Sequence, residues 1–402
     1  MKVALSFPGC HRRGGVERVV FECARFLAAC GHEVTVYAND ADAAEGTYHI
    51  RNISLPTRPA LLRAPLFRER CTRQLRSQDH HVHGTFGCEC PLGGVLWVAS
   101  VHRAWLDRAR TFRSPFSRAR LKQALNPLHP VLLRLEKEQF IERRYRRVIA
   151  LTPEVRDDLR RYYQVPAEDV SVIPNGFSPE EFNPAQSKER RTAMREKLGL
   201  NATNVALLFV ANELERKGYR AVLSAIRTLR QSCLRLIVAG RAPLAQVRQQ
   251  AAEFGVADQV IAYGHTRDVA GLHAASDIFV LPTQYEAFCL AILEALGSGL
   301  PVITTRIPGA QNAIQPGRNG MLIDDPTSGA QLAEAISLLL DADLRASLSS
   351  TAAESVAQYQ WPAVLPHYEK VLETHSNDYR TNPGSRHDHP ATSADCLTMS
   401  RL

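Results

Sequence analysis

What the chain lacks narrows its class first. No apolar run approaches the roughly 18 to 20 residues that a membrane-spanning helix requires. The opening stretch from Met1 to Gly9 is too short for the apolar region of a signal peptide and reads as a first strand. The nine cysteines are an odd number, scattered singly apart from Cys88 and Cys90, with no spacing of metal ligands. That pattern predicts reduced thiols, mostly buried as small hydrophobes, in a cytoplasmic protein. There is no P-loop, because Gly14-Gly15 runs into Val16 where Lys-Ser/Thr is needed. The three-glycine dinucleotide fingerprint is missing too, which disfavours a nicotinamide oxidoreductase. No Asp-x-Asp follows a strand: Asp40/Asp42 and Asp341/Asp343 stand in poor contexts. No metal and no cofactor are therefore expected. Nor does any nucleic-acid-binding motif accompany the chain's basic charge, so no nucleic-acid partner is expected.

What is present is a long alternation of short apolar runs with helical periodicity. At 402 residues, 45% hydrophobic and 22% charged, the chain can bury large cores in two domains or more. Strands are predicted at Val3 to Phe7, Glu33 to Ala38, His81 to Phe86, Leu96 to Val101 and Arg147 to Leu151, with helices at Glu17 to Cys30 and Leu132 to Tyr145 between them. Such alternation predicts a doubly wound parallel sheet. Residues 51 to 76 are Arg-rich and resist assignment. Pro174-Asn175-Gly176 marks a turn that closes the first domain at 177, and the polar, proline-containing segment 178–195 reads as a linker. A second domain, 196–360, restarts the rhythm at Val205 to Ala211, followed by a helix at 361–373. The stretch 374–402 is polar and aperiodic and predicts a disordered tail.

The net charge of +8 is unevenly placed. Between Arg103 and Arg147 there are 13 Lys and Arg against 4 Asp and Glu, so this segment alone carries +9. Its arginines interleave with Trp105, Leu106, Phe112, Phe116, Leu121, Leu125, Leu128, Val131 and Leu132. Mixing of that kind suits an anionic membrane surface, with apolar side chains entering the interface. The plainer alternative is a solvated helical face.

The most informative stretch runs from Pro282 to Leu296. It follows the branched apolar run Ile278 to Leu281, which reads as a buried parallel strand. Apolar positions at Leu290, Ile292, Leu293 and Leu296 place a helix from just after Glu286, with Glu294 about two turns in. The free N–H groups of that helix would form an anion site at the carboxyl end of a strand. Two glutamates with seven residues between them, followed by Gly299-Leu300-Pro301-Val302-Ile303, resemble the donor-site motif of the family-4 retaining glycosyltransferases of the two-domain GT-B fold, those of bacterial polysaccharide and lipopolysaccharide synthesis. Cys289 departs from the family's usual small residue. Arg216-Lys217-Gly218, at another strand-to-helix junction, resembles the family's diphosphate clamp, although Ala211-Asn212 replaces the customary glycine. Gly14 and Gly15 resemble its paired glycine in the first loop.

The resemblance covers about residues 1 to 373 and implies two Rossmann-like domains facing across a cleft. It implies transfer of a hexosyl group from a UDP- or GDP-sugar to a lipid-linked or cell-surface glycan, without a metal, by a protein peripheral to the cytoplasmic face of the inner membrane. By the same resemblance, Arg216 and Lys217 receive the diphosphate and Glu286 holds sugar hydroxyls. Glu294 takes the ribose diol, and His102 (with His81 and His83 as runners-up) orients the sugar. Gly14, Gly15, Gly240, His265, Ala287, Phe288, Cys289 and Leu290 complete the donor site. Two alternatives stay open: a sugar-nucleotide 2-epimerase of the same fold, and a non-catalytic, membrane-associated nucleotide-sugar-binding protein.

Overall fold

The computed structural model describes residues 1–42, 46–57, 60–112 and 118–376. Most of the predicted tail, and Phe116, lie outside the described residues. Strands β1 (Lys2–Ser6), β2 (Gly9–Cys10), β3 (Glu33–Ala38), β4 (Asp40–Ala41), β5 (His49–Asn52), β6 (Val82–Phe86), β7 (Val95–Val98), β8 (Arg147–Ala150) and β9 (Val170–Val172) fall in the first half. The second half holds β10 (Val205–Val210), β11 (Leu234–Ala239), β12 (Val260–Gly264), β13 (Ile278–Leu281), β14 (Val302–Thr305) and β15 (Gly320–Ile323). They form two large parallel sheets, ordered β5-β3-β1-β6-β7-β8-β9 and β12-β11-β10-β13-β14-β15, and a separate two-stranded pair, β2-β4. This is the GT-B arrangement of two Rossmann-like α/β domains.

Burial explains the sheets' composition. All four residues of β13 are buried, as are those of β14, because helices cover both faces of a parallel sheet. The helices turn one apolar stripe inward. Val16–Ala29 buries Val19, Val20, Phe21, Cys23, Ala24 and Leu27, and Tyr219–Leu229 buries Ala221, Val222, Leu223, Ala225 and Ile226. In each sheet the order reverses beside the first strand, between β1 and β6 and between β10 and β13. Loops diverge at such a point and leave a crevice at the strands' carboxyl ends.

Several expectations meet a different structure. The segment 178–195 holds a helix, Pro184–Lys197, started by Asn183, whose side chain accepts from the Gln186 N–H, and by Pro184 in the first turn. Its Arg191 and Arg195 reach Asp277 at 2.6 and 3.3 Å, which ties the segment to the second domain. Residues 63 to 76 form a helix that buries Phe67, Cys71 and Leu75. The helix after β13 begins at Leu290, so Glu294 lies about one turn into it. His102 is the first residue of helix His102–Thr111, four residues beyond the end of β7. Trp361–Thr374 packs on Val16–Ala29 and β6, and Trp97 Nε1–H donates to the Tyr368 hydroxyl. Among the described residues the cysteines are free of disulfides, and no helix is long and apolar enough to cross a membrane.

His273 is fully buried between the rings of Phe182 and Phe279, at 5.4 and 5.8 Å. Burial pushes its pKa down to about 3. The unfolded chain therefore takes up a proton below pH 6.5 that the folded chain refuses, and stability falls as pH drops from 6.5 towards 3. Urea denaturation of the wild type and His273→Leu should differ in slope by about 0.7 kcal/mol per pH unit at pH 6.5, rising to about 1.3 at pH 5, the variant being flatter. Parallel curves would contradict this origin.

Candidate functional site

The site grows from a backbone contact. Gly218, at φ +79°, opens helix Tyr219–Leu229, and a Cβ on it would lie 2.2 Å from the Pro282 carbonyl oxygen. Only glycine lets the loop after β10 approach the loop after β13 this closely. Gln284 N–H then donates to the Arg216 carbonyl at 2.9 Å, which locks the two loops together at the switch point. Gly240, at φ +131°, has the same role on the next strand, where a Cβ would sit 1.9 Å from the Ala211 carbonyl oxygen. Asn212, which stands where a glycine was expected, accepts from the Arg241 N–H at 3.0 Å and fixes that third loop.

Pinned loops bring charges together. Glu286 Oε1 lies 2.5 Å from both Arg216 Nη1 and Lys217 Nζ. Arg216 also donates to the Tyr285 carbonyl at 2.8 Å and pairs with Glu213 at 3.1 Å. Burial alone would push the Glu286 carboxyl up; Lys217 and then Arg216 outweigh it and hold the carboxyl below the usual range. Glu294 differs. Its carboxyl is raised by burial, which Arg18 only partly offsets. Arg18 reaches Glu294 at 3.3 Å and Glu181 at 2.8 Å, so the first domain, the connecting segment and the second domain meet in one ion cluster.

Across the cleft stands a different wall. His102 Nε2 lies 3.2 Å from His129 Nδ1, and its ring stacks on Trp105 at 5.4 Å. Burial, and secondarily His129, pushes the His102 pKa down to about 4, so the ring is neutral near pH 7. Glu136 caps the helix beneath: its oxygens accept from the His102 N–H at 2.5 Å, the Arg103 N–H at 3.2 Å and the Tyr163 hydroxyl at 2.5 Å. Arg108 lies 5.3 Å from the Tyr285 ring, which brings this helix against the second domain.

The structure places the whole predicted set around one cleft of 1360 Å³: Gly14, Gly15, His102, Arg216, Lys217, Gly240, His265, Glu286, Ala287, Phe288, Cys289, Leu290 and Glu294 all line it. His83 does not; it is buried in β6 against the Ser6 hydroxyl at 2.8 Å. His81 is held at the strand's start, accepting from the Lys2 N–H. Cys289, buried, stands just before the helix Leu290–Gly297 without a side-chain capping bond, and burial pushes its thiol up. The basic segment divides as well. Trp105, Leu128 and Leu132 face the cleft, Leu106 is buried, and Phe112, Leu121 and Leu125 are exposed by 37, 61 and 71%. Sequence reasoning missed Arg18, because an i,i+4 pair with Glu22 reads as a solvated helix face. It also missed His129, which carries no motif, and gave no role to Asn212 or Tyr285, although both stand in or beside the motifs.

Comparison with known proteins follows the two-domain division. Residues 13–181 match the model "Glycosyltransferase Family 4" and residues 190–355 match "Glycosyl transferases group 1". A D-inositol 3-phosphate glycosyltransferase of Thermobispora bispora is 29% identical over 413 residues, covering 94% of each chain. The lipopolysaccharide glucosyltransferase WaaG of Escherichia coli is 28% identical over 244 residues, covering 60% of this chain and 62% of that one. Among solved structures, WaaG superposes with a TM-score of 0.80 at 22% identity, over 92% of this chain and 99% of that one. Anabaena Alr3699/HepE with UDP-glucose reaches 0.70 at 19% identity, over 93% of this chain and 100% of that one.

Gly218→Ala should cost about 2 kcal/mol or more in urea denaturation, since it strains a left-handed backbone against a carbonyl. Gly15→Ala, whose Cβ would meet nothing within 4 Å, should stay within about 1 kcal/mol of wild type. Equal losses would remove the close approach as the organising contact.

Proposed function

Because the chain belongs to the family-4 glycosyltransferases of the GT-B fold, we propose that it moves a hexosyl group from a UDP- or GDP-sugar to a lipid-linked or cell-surface glycan, with retention at the anomeric carbon and without a metal. The observation that carries this reading is the pair of cations, Arg216 and Lys217, fixed on Glu286 at the switch point of the second sheet. Departure of a nucleoside diphosphate builds negative charge on its terminal phosphate. Two preorganised cations and the free N–H groups at the start of Leu290–Gly297 meet that charge in a cleft where water screens little.

Glu286 is an unsuitable nucleophile here. Both neighbouring cations draw on its charge, so it serves to accept hydrogen bonds from sugar hydroxyls. The departing phosphate can then assist attack by the acceptor on the same face of the sugar, which gives retention without a covalent enzyme intermediate. Glu294 accepts the ribose diol, displacing one contact of Arg18 while Glu181 keeps the other. Gly14 and Gly15 allow close approach of the donor phosphates, and His102 orients the transferred sugar. Gly240 and His265 border the nucleobase, and Ala287, Phe288, Cys289 and Leu290 line the bend around the diphosphate and sugar.

Lys217→Ala should lower transfer from radiolabelled UDP-glucose, UDP-N-acetylglucosamine or GDP-mannose by roughly a hundredfold or more, as loss of a contact to transition-state charge does. EDTA should leave the wild-type rate unchanged. Activity of the variant within threefold of wild type, or turnover abolished by the chelator, would reject the mechanism. Product formed without any acceptor would point instead to epimerisation.

The segment 103–147 exposes Phe112, Leu121 and Leu125 and also the side chains of Arg103, Arg110 and Arg134. This face is proposed to rest on anionic lipid, as a peripheral protein at the cytoplasmic face of the membrane would. Sedimentation with phosphatidylglycerol vesicles should fall at least fivefold in the double variant Leu121→Ser, Leu125→Ser. Unchanged binding, or equal binding to neutral vesicles, would count against it.

A further inference from the structure

The three rings on the first-domain wall have no part in donor binding as described, apart from the edge that His102 turns to the transferred sugar. We propose that Trp105 and His129, with His102, form an acceptor subsite that takes an uncharged pyranose ring of a glycan. The proposal rests on the glycosyltransferase reading above and specifies its acceptor.

Position comes first. His102 and Trp105 are three residues apart on the opening turn of one helix, so their side chains share a face. His129 comes from helix Leu128–Phe140 and closes the group, its ring 5.1 Å from His102 and 5.6 Å from Trp105. Leu128 and Leu132 extend the wall along the cleft. All five line the same cleft as Lys217 and Glu286, on the opposite domain, where an attacking hydroxyl must enter. Buried Glu136, holding the backbone N–H groups of His102 and Arg103, makes the wall rigid.

Chemistry then selects the ligand. An aromatic face beside two leucines suits the C–H face of a sugar ring, and the paired imidazoles give the wall a polar edge for its hydroxyls. None of the five side chains is a Lys or Arg, and burial keeps His102 uncharged near pH 7. Of the two glycine-loop cations that line the cleft, Arg13 is committed to Asp42 at 3.1 Å and Asp40 at 3.7 Å, and Arg12 lies over the Phe21 ring at 5.2 Å. A phosphorylated polyol, such as the name of several relatives carries, would meet no Lys or Arg among these five side chains. A neutral ring meets a complementary one.

Saturation-transfer NMR with octyl β-glucoside, octyl β-galactoside and octyl N-acetyl-β-glucosaminide provides neutral probes, with D-inositol 3-phosphate as the anionic one. At least one glycoside should bind the wild type, lose tenfold or more in affinity in Trp105→Ala, and return to within threefold in Trp105→Phe. Affinity for UDP or GDP, measured by calorimetry, should stay within twofold in both variants. The subsite is overturned if no glycoside binds, if Trp105→Ala binds them as well as wild type, or if its nucleotide affinity falls in step. It is equally overturned if D-inositol 3-phosphate outbinds every glycoside. Failure of the wild type to bind UDP or GDP would instead reject the donor reading, with the glycoside titrations still deciding this one.

Discussion

One carboxylate held between two cations organises this molecule. Glu286 lies in the loop after β13, Arg216 and Lys217 lie in the loop after β10, and their ion cluster bridges the point where the strand order reverses. Buried ion clusters of this kind are weak evidence for stability, because desolvation cancels much of the attraction. Their retention makes sense as preorganisation: the cations are already in place, so no reorganisation is required when charge develops on a ligand. Gly218 is the steric condition for this cluster, since any side chain there would drive the two loops apart.

The cluster also explains how the two domains relate. Arg18 extends from the first domain to Glu294, Arg108 lies over Tyr285, and the Gln311 side chain donates to Glu154 at 2.7 Å. Arg18, Glu294 and Tyr285 line the cleft, so these contacts join the two domains at its wall. Polar interdomain contacts of this sort are compatible with relative movement of the lobes, which a two-sided site needs if the acceptor enters and product leaves.

Much of the architecture was legible in the residues. Short branched runs such as Ile278 to Leu281 can only be buried parallel strands in a chain that alternates them with amphipathic helices, and both sheets follow from that. The motif residues were legible because their spacing relative to strand ends carries the meaning. Other features were hidden for physical reasons. The helix Arg63–Arg76 rests on Phe67, Cys71 and Leu75 alone, a narrow stripe among arginines that hides its period. Segment 178–195 looked like a linker because its helix is held by Arg191 and Arg195 on Asp277, a partnership more than 80 residues away in the chain. Polar composition conceals a helix that docks through charge.

The same limit applies to the cleft. Arg18 and Glu294 are 276 positions apart, and nothing local to either announces the other. Trp105 looked like part of a membrane-facing strip until the fold turned it inward beside His129, leaving Leu121 and Leu125 outside. A crystal structure of the wild-type protein with UDP or GDP bound in the presence of EDTA tests the central claim most directly. The account predicts the terminal phosphate within hydrogen-bonding distance of Lys217 Nζ and the Arg216 guanidinium. A diphosphate seated away from both, or ordered only when a divalent ion is added, would contradict it.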